Sequence, residues 1–376
     1  MSAFAGVMEE LTRLLPPGAD VIDAHTHLGA DEDGQSLTRD ELLAHLDVVG
    51  PGTRACTFPL HDPDRDPAYR VPNDRVLEWA RDSGGRIIPY CRLDPADDPL
   101  GEAERCLALG ARGIKLHPRA QAFAFTRPEM DGIFAIAAGA GVPILVHAGR
   151  GMAPMDALAD VALRHTEVPL VLAHAAIAGQ GMFAERLAEH PAVLYDTSCF
   201  SAFDVVELFA RVPAERVVFA SDVPYGRPAS GLFQALRVAA LAGLDEDDCR
   251  LIAGGTMAAV LERRPLPVPR PPRLESVRPV AGPLLRMGAY LMMAFGAAIG
   301  GSWPPDPAKT APFIAMARCV ARDPAPGAAE PAVRRIDAML EDAEQLIAGP
   351  VGDETRAVFG LLQAAIVIAA TEPPDA

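Results

Sequence analysis

The chain has 376 residues, half of them hydrophobic, and a formal net charge of −16. That length accommodates a barrel of roughly 250 residues plus an appendage, and so apolar a composition excludes disorder throughout. So acidic a chain argues against nucleic acid as a partner, because phosphate binding needs basic surface; otherwise it implies solubility and nothing about fold.

Met1 to Asp20 carries Glu9 and Glu10 and lacks a basic start followed by an apolar run, so it does not read as a signal peptide. From Asp20 to about Ile252 one pattern repeats: a short apolar run closes on a polar cluster and an alanine- and leucine-rich stretch follows. The predicted strands are Val21–His25, Arg54–Pro59, Arg86–Arg92, Ala111–His117, Pro143–His147, Leu170–His174, Val193–Thr197 and Val217–Asp222. Intervening helical stretches include Asp74–Asp82, Ala96–Leu109, Met130–Ala140, Met155–Arg164 and Met182–His190, several ending at Gly or Pro (Gly110, Gly141, Pro191). Strand alternating with helix predicts a parallel sheet with right-handed crossovers. Eight units favour closure into an α/β (β/α)8 TIM barrel, and no Gly-x-Gly-x-x-Gly follows the first strand to suggest a dinucleotide fold.

Asp248 to Glu262 reads as a last helix. Pro265–Arg273 then holds five prolines, a stiff linker, which divides the chain into a barrel over 1–264, a linker over 265–273 and an all-helical C-terminal region over 274–376. Helices are expected over Gly282–Gly300, Ala332–Ala348 and Glu354–Ala370. The first is apolar, but Arg286 interrupts it and it is short for a bilayer, so no membrane span is expected. The last carries an amphipathic stripe (Val358, Leu361, Leu362, Ala365, Ile366, Ala369). This region shows no catalytic constellation; it could cover the barrel, mediate homodimerisation or dock a partner, and association through its apolar helices is favoured. The cysteines (Cys56, Cys91, Cys106, Cys199, Cys249, Cys319) are scattered, with neither a disulfide framework nor a thiolate zinc site implied. A reduced, cytoplasmic setting is the default expectation, and Cys199 has no evident base to make it a nucleophile.

Functional side chains of a (β/α)8 enzyme sit at the C-terminal ends of the strands. The first predicted strand ends Asp23-Ala-His25-Thr-His27, and residues two apart on a strand point to the same side, so both imidazoles can meet one metal. Alone, His-x-His is a weak signal. Strand four ends in Lys115-Leu-His117, strand five in His147, strand six in His174 and strand eight in Ser221-Asp222. For any one of these, a satisfied core histidine or a capping aspartate is an equal reading; for the set it is not. Imidazole and carboxylate with open positions suit zinc or another divalent transition metal. Such an ion lowers the pKa of bound water to about 7, and a neighbouring carboxylate can accept the proton.

These motifs resemble the amidohydrolase superfamily, in particular its branch of TIM-barrel metal-dependent hydrolases, over about residues 20 to 262. The resemblance implies His25, His27 and Asp222 as ligands, with Asp222 also taking the proton of the attacking water. It adds His147 as a further ligand and His174 as either a second-metal ligand or a catalytic group. A lysine at the end of strand four is carboxylated and bridges two metals in binuclear relatives, which makes Lys115 a candidate ligand. Only two of the 34 basic residues are lysine, Lys115 and Lys309, and arginine cannot be carboxylated because it stays protonated. An uncarboxylated catalytic or binding role and a plain salt bridge stay open for Lys115. One metal is therefore expected as the minimum, and two if Lys115 is carboxylated. Where relatives place an asparagine after strand eight, this chain has Gly254-Gly255-Thr256, a departure expected to affect helix capping.

His117, Arg119, Arg150 and Tyr225 are candidate substrate-binding residues, the arginines because they can hold a carboxylate bidentately; His61 and Arg92 have the same standing. His45, His165 and His190 lie in helical stretches and are expected at the surface. The function expected is hydrolysis of a C–N, C–O or lactone bond in a small molecule. The alternatives are a lyase on the same metal, a decarboxylase or hydratase of a small carboxylic acid, and a scaffold that has lost catalysis. Lys115 favours hydrolysis, since the related decarboxylases commonly lack it.

Overall fold

The computed structural model describes residues 3–149, 155–199, 201–273, 282–299, 306–322, 329–348 and 357–372. Its strands are β1 (Ile22–Ala30), β2 (Ser36–Leu37), β3 (Arg54–Pro59), β4 (Ile87–Pro89), β5 (Cys91–Arg92), β6 (Ile114–Leu116), β7 (Ile144–Val146), β8 (Leu170–Leu172), β9 (Val193–Asp196) and β10 (Val217–Val218). Apart from the short antiparallel β1–β2 pair, every pairing is parallel. The expected strand Arg86–Arg92 is one stave in two pieces. Tyr90 N donates to Thr57 O at 2.8 Å on one side, and Cys91 N to Gly113 O at 3.0 Å on the other. The barrel closes where Ala24 N meets Phe219 O, Asp222 N meets His25 O and His27 N meets Val223 O, each at 2.9 Å. The fold is an α/β TIM barrel followed by a helical C-terminal region.

Side-chain parity puts an apolar plug inside the barrel and polar groups above it. Ile22, Ala24, Cys56, Phe58, Ile88, Tyr90, Leu145, Val171, Leu194, Val218 and Ala220 form one interior cluster. The alternate residues, such as Ile114, Leu116, Ile144, Val146, Leu170, Leu172 and Val193, face the surrounding helices. Continuing the inward set by two residues takes Leu145 to His147, Leu194 to Asp196 and Ala220 to Asp222, while Lys115 lies between outward Ile114 and Leu116. Two strands reach the rim differently. The pairing of β1 shifts register between Asp23 and Thr26, so inward Ile22 and Ala24 give way to His25 and His27. β8 stops at Leu172, two residues short of the expected end, and the chain turns so that His174 follows inward Ala173 directly.

Helices cover the barrel at Arg39–Val49, Arg70–Arg81, Pro99–Ala108, Glu129–Ala140, Asp156–Arg164, Gln180–Arg186, Ala202–Arg211 and Pro228–Leu241. The stretch Asp248–Glu262, expected as one α-helix, is Glu246–Arg250 and Thr256–Leu261 with a wider π turn, Leu251–Gly255, between them. The Gly-Gly pair there answers to packing and not to capping: a Cβ on Gly254 would lie 2.4 Å from Asp20 O and 2.7 Å from Ile22 N. His190, expected at the surface, is buried and lies just past its helix, with Nδ1 accepting from Ala192 N at 3.2 Å. His165 follows its helix and bonds Asp131, and His45 bonds Arg227.

An N-terminal helix, Ala3–Leu14, packs on Pro228–Leu241. Within 265–273 the extended segment is clasped to the barrel, Arg270 bonding Glu215 and Asp248, and Arg216 Nη1 donating to Pro267 O at 3.0 Å. The appended helices are Gly282–Ile299, Ala311–Arg322, Glu330–Ala348 and Ala357–Thr371. The second was not anticipated. The last was expected to be amphipathic, yet it is buried nearly all round between Ala202–Arg211, Pro228–Leu241 and its fellow appended helices, so both its faces are apolar. Among the described residues no helix is long and apolar enough to cross a membrane.

Candidate active site

One cavity of about 610 Å³ opens at the strand C-termini and is lined by His25, His27, His61, Arg92, Lys115, His117, Arg119, His147, His174, Asp222 and Tyr225. Every site residue expected from sequence is therefore gathered here except Arg150, which lies outside the described residues. Among the described residues two groups could hold a metal ion, His25 with His27 and Asp222, and His25 with His174 and Asp196. Asp222 Oδ1 is 3.1 Å from His25 Nε2 and 3.0 Å from His27 Nε2.

The protonation of this group is set by its surroundings. His25 Nδ1 is 2.8 Å from Asp196 Oδ2, a contact that keeps a proton on Nδ1; Nε2 donates to Asp222 in the charged ring and turns a lone pair inward once that second proton is lost. A carboxylate behind an imidazole is the arrangement that fixes a metal-ligating tautomer. Burial holds His27 at a pKa of about 3, a neutral imidazole. Burial opposes ionisation of Asp222, but the charge of His25 and hydrogen bonds from His25 and His27 hold it well below the usual carboxylate range. Burial and Lys115 push His25 down, and Asp222 with Asp196 outweighs them, leaving it raised. Two imidazole nitrogens and an anionic oxygen thus converge, with the Lys115 amine 3.3 Å from His25 Nε2. This donor set fits a divalent transition metal.

Asp196 is the group sequence reasoning missed. It is fully buried at the end of β9, and its Oδ1 accepts from His174 N at 2.8 Å, Ser198 N at 3.0 Å and Ser198 Oγ at 2.6 Å. Its signal was a carboxylate in the apolar run Val193-Leu-Tyr-Asp196, where charge is not tolerated without partners. Asp23 plays a related part, Oδ1 accepting from His25 N at 3.2 Å and Ser221 N at 2.9 Å. It joins the two strand ends that carry His25, His27 and Asp222, and burial raises it to about 7.

His174 and Asp222 both sit in the left-handed region, at φ 58° and 60°. Non-glycine residues there cost on the order of 1–3 kcal/mol each and persist only when their neighbours enforce them. Here Asp196 holds the His174 amide and His25 O holds the Asp222 amide. His174 Nδ1 bonds Ser198 O at 2.8 Å, so its Nε2 accepts from His147 Nδ1 at 3.0 Å. That leaves His147 Nε2 buried without a hydrogen-bond partner. It packs over Gly149, where a Cβ would come within 2.8 Å of it. The structure places His147 beside His174 and against His117, stacked at 4.0 Å, next to the compact triplet and not within it.

Lys115 is fully buried, its Nζ 4.5 Å from the centre of the Phe58 ring, and burial lowers it to about 7. His117 Nδ1 accepts from Ala120 N at 3.1 Å, leaving Nε2–H as its donor. The Tyr225 hydroxyl faces Asp31 Oδ2 at 3.1 Å and Asp33 Oδ2 at 3.2 Å. Arg119 is exposed at the rim, while His61 is half-buried and bonds Tyr69.

A parallel eight-stave barrel with imidazoles and a carboxylate gathered at its C-terminal rim defines a metal-dependent barrel enzyme. The amidohydrolase family model matches residues 22–263, and the chain belongs to that family. No curated protein matches it. Among solved structures it is similar to IDCase from Metarhizium anisopliae in its apo form, at 16% identity and TM-score 0.52, covering 65% of this chain and 97% of that one. It is also similar to a structure ascribed to a 2-pyrone-4,6-dicarboxylic acid hydrolase from Pseudomonas putida, at 17% identity and TM-score 0.51, covering 65% and 98%. The 5-carboxyvanillate decarboxylase of Sphingomonas paucimobilis matches at 14% identity and TM-score 0.48, covering 65% and 99%. The first two likenesses, at these identities, speak for the fold alone.

Proposed function

We propose that this chain is a hydrolase that cleaves a C–N, C–O or lactone bond in a small organic molecule, with one divalent metal held by His25, His27 and Asp222. The observation that carries the reading is the convergence of His25 Nε2 and His27 Nε2 on Asp222 Oδ1, with the His25 tautomer pinned from behind by Asp196. When bound, the ion supplies the positive charge that acidifies water and polarises a carbonyl.

The chain's own groups supply the rest. Asp222, held as the anion, accepts the proton that water gives up as its oxygen attacks the carbonyl carbon. The carbon–heteroatom bond then breaks, and the leaving group departs with a proton. Lys115 Nζ and His117 Nε2–H line the cavity as donors for the oxygen on which charge develops. His174 and His147 form a relay of imidazoles beside the triplet, with His147 Nε2 available to a further bond. We assign Lys115 the uncarboxylated role, because its Nζ is engaged by the Phe58 ring and His25.

The proposal extends to zinc as the metal, in keeping with a nitrogen- and oxygen-donor site. It also includes a cytoplasmic setting, which suits six unbridged cysteines, and a division into a catalytic barrel over 1–264 and a helical region over 274–376. Self-association is assigned to the appended helices, where Leu285, Met293 and Met316 are exposed.

The test is metal analysis of the purified chain beside His25→Ala, with products assayed on a panel of esters, lactones, amides and aromatic acids. The expected result is about one equivalent of metal, lost in His25→Ala together with hydrolysis. Full metal retention in His25→Ala rejects the site. Release of carbon dioxide in place of hydrolysis products moves the chain to lyase chemistry, and two equivalents with carbon dioxide-dependent activity restores a carboxylated Lys115.

A further inference from the structure

One wall of the cavity above the triplet comes from a part of the chain that lies outside the family match. Met292, Phe295 and Gly296 line it from the appended Gly282–Ile299 helix, beyond residue 263, where the match ends. Positions 292, 295 and 296 are spaced three and four apart, so they lie on one helical face. Leu284, Met287, Leu291, Ala294 and Ala298 fill an adjoining face, fully buried where the helix packs on Ala311–Arg322 and Ala357–Thr371. The Phe295 ring is nearly inaccessible and lies 5.9 Å from the Phe359 ring of the last helix, while Met292 is half-buried. On the barrel side Ile177, just past the His174 turn, lines the same cavity. The helix is seated by one face, and its next face gives an apolar surface to a site whose chemistry belongs to the barrel.

Glycine inside a helix is less favourable than alanine, so each one there asks for a reason. At Gly288, on the same face, the reason is packing: a Cβ would meet the Phe203 ring at 3.4 Å and Ala369 Cβ at 3.6 Å. At Gly296 packing gives none, since among the described residues no atom lies within 4 Å of the place a Cβ would take. Nor does its backbone require glycine, because its φ is not positive. What Gly296 does is leave room in the cavity beside Met292 and Phe295.

We propose that the Gly282–Ile299 helix is the selectivity element of this site: the substrate carries an uncharged aryl or alkyl group that packs on Met292 and Phe295 in the room left at Gly296. This rests on the hydrolase reading only for the reacting bond, which lies at the metal triplet while the apolar group reaches the helix. Met292, Phe295, Gly296 and Ile177 offer no charged side chain. A carboxylate or ammonium set against them would give up its water with no partner in exchange. An apolar group gains by leaving water there, in proportion to the area covered, and the flexible Met292 side chain adapts to its outline.

The experiment is calorimetric binding of two uncharged probes, benzamide with a phenyl ring and acetamide with a methyl group, to the full chain after chelation of metal. The proteins compared are wild type, Gly296→Leu and Phe295→Ala, with metal content and hydrolysis of phenyl-bearing and acetate esters measured on the metal-loaded forms. Chelated wild type is expected to bind benzamide at least about tenfold more tightly than acetamide, the lower end of what burying a phenyl-sized group gives. In Gly296→Leu the new side chain occupies the room, and the ratio of the two affinities falls at least about fivefold. In Phe295→Ala the ratio falls as well. Both variants keep wild-type metal content, and their KM for phenyl-bearing esters rises relative to acetate esters. A side chain at 296 meets nothing in its way, so Gly296→Leu is expected to fold with the wild-type denaturant midpoint or a higher one.

Benzamide bound no better than acetamide by chelated wild type, absence of binding included, overturns the inference without any variant. A benzamide preference that survives unchanged in Gly296→Leu or in Phe295→Ala also overturns it, placing the ring elsewhere in the cavity and leaving the hydrolase reading intact. Failure of metal uptake or of hydrolysis, with the benzamide preference present in wild type and lost in Gly296→Leu, refutes the hydrolase reading and leaves this inference standing.

Discussion

The barrel rim and the appended helices are packed by opposite rules. At the rim, charged and polar groups are buried against one another: Lys115, Arg92, Asp196 and His25 are nearly inaccessible, and His174 and Asp222 sit in left-handed backbone. In the appendage the interior is aliphatic, with Leu284, Met287, Ile336, Met339, Leu362 and Ile366 fully buried and belonging to the same core cluster as the barrel's outer layer. A site that stores strain and unpaired charge draws on stability made elsewhere. Here the appendage and the helices beneath it add continuous aliphatic packing, and Met292 and Phe295 of the appendage also line the cavity.

If that division holds, damage to the appendage costs stability and spares the metal site. Leu362→Ala removes a fully buried side chain from the Ala357–Thr371 helix. It is expected to cost about 2–5 kcal/mol, read as a lower denaturant midpoint, with metal content per folded chain unchanged. Loss of metal from the still-folded variant would show that the two regions are not separable.

How much of each region the sequence disclosed follows the same line. At the rim each candidate residue ends an apolar run, and that position singled out Lys115, His147 and Asp222. His25, His27 and His174 were found as residue types, but their orientation depends on the register shift in β1 and the early end of β8, which long-range pairing decides. Asp196 was passed over because a single carboxylate inside a strand carries no motif; its meaning comes only from the His25 and His174 groups that β1 and β8 bring to it. In the appendage, helical period was legible over three helices. The Ala311–Arg322 helix and the full burial of Ala357–Thr371 were not, because exposure depends on which neighbours cover a face. His190 was misplaced for the same reason.

A smaller effect tests the rim by chemistry alone. Asp196→Asn keeps size and shape, but Oδ1 already accepts three donors, so the amide NH₂ must face His25 Nδ1. That imidazole is then driven to the other tautomer, with its proton on Nε2 where the lone pair for the metal should be. Metal affinity is expected to fall about 10–100-fold, measured by competition with a chelator, with little change in the denaturant midpoint of the chelated protein. An unchanged affinity would mean that Asp196 does not set the tautomer.

The smallest effect tests how the two regions are fastened. Glu10, in the N-terminal helix, pairs with Arg237 of the barrel helix Pro228–Leu241 and with Arg335 of the appended helix Glu330–Ala348. Arg237 also donates to Thr371 Oγ1 at 2.7 Å and to Glu372 Oε2 at 2.6 Å, at the end of the last helix. Burial alone raises the Glu10 carboxyl, but the two guanidinium groups outweigh it and hold it below its ordinary value. A carboxyl depressed in the folded state contributes stability above its unfolded pKa, and that contribution is lost as pH falls through the folded value. Glu10→Gln is therefore expected to destabilise the chain by about 1 kcal/mol at neutral pH, with the gap from wild type closing as the medium is acidified below about pH 4.5. Denaturant midpoints of both proteins at pH 7, 4 and 3 measure this. A gap that stays constant into acid would make the Glu10 contact one of shape, and charge would not be what fastens the appendage to the barrel.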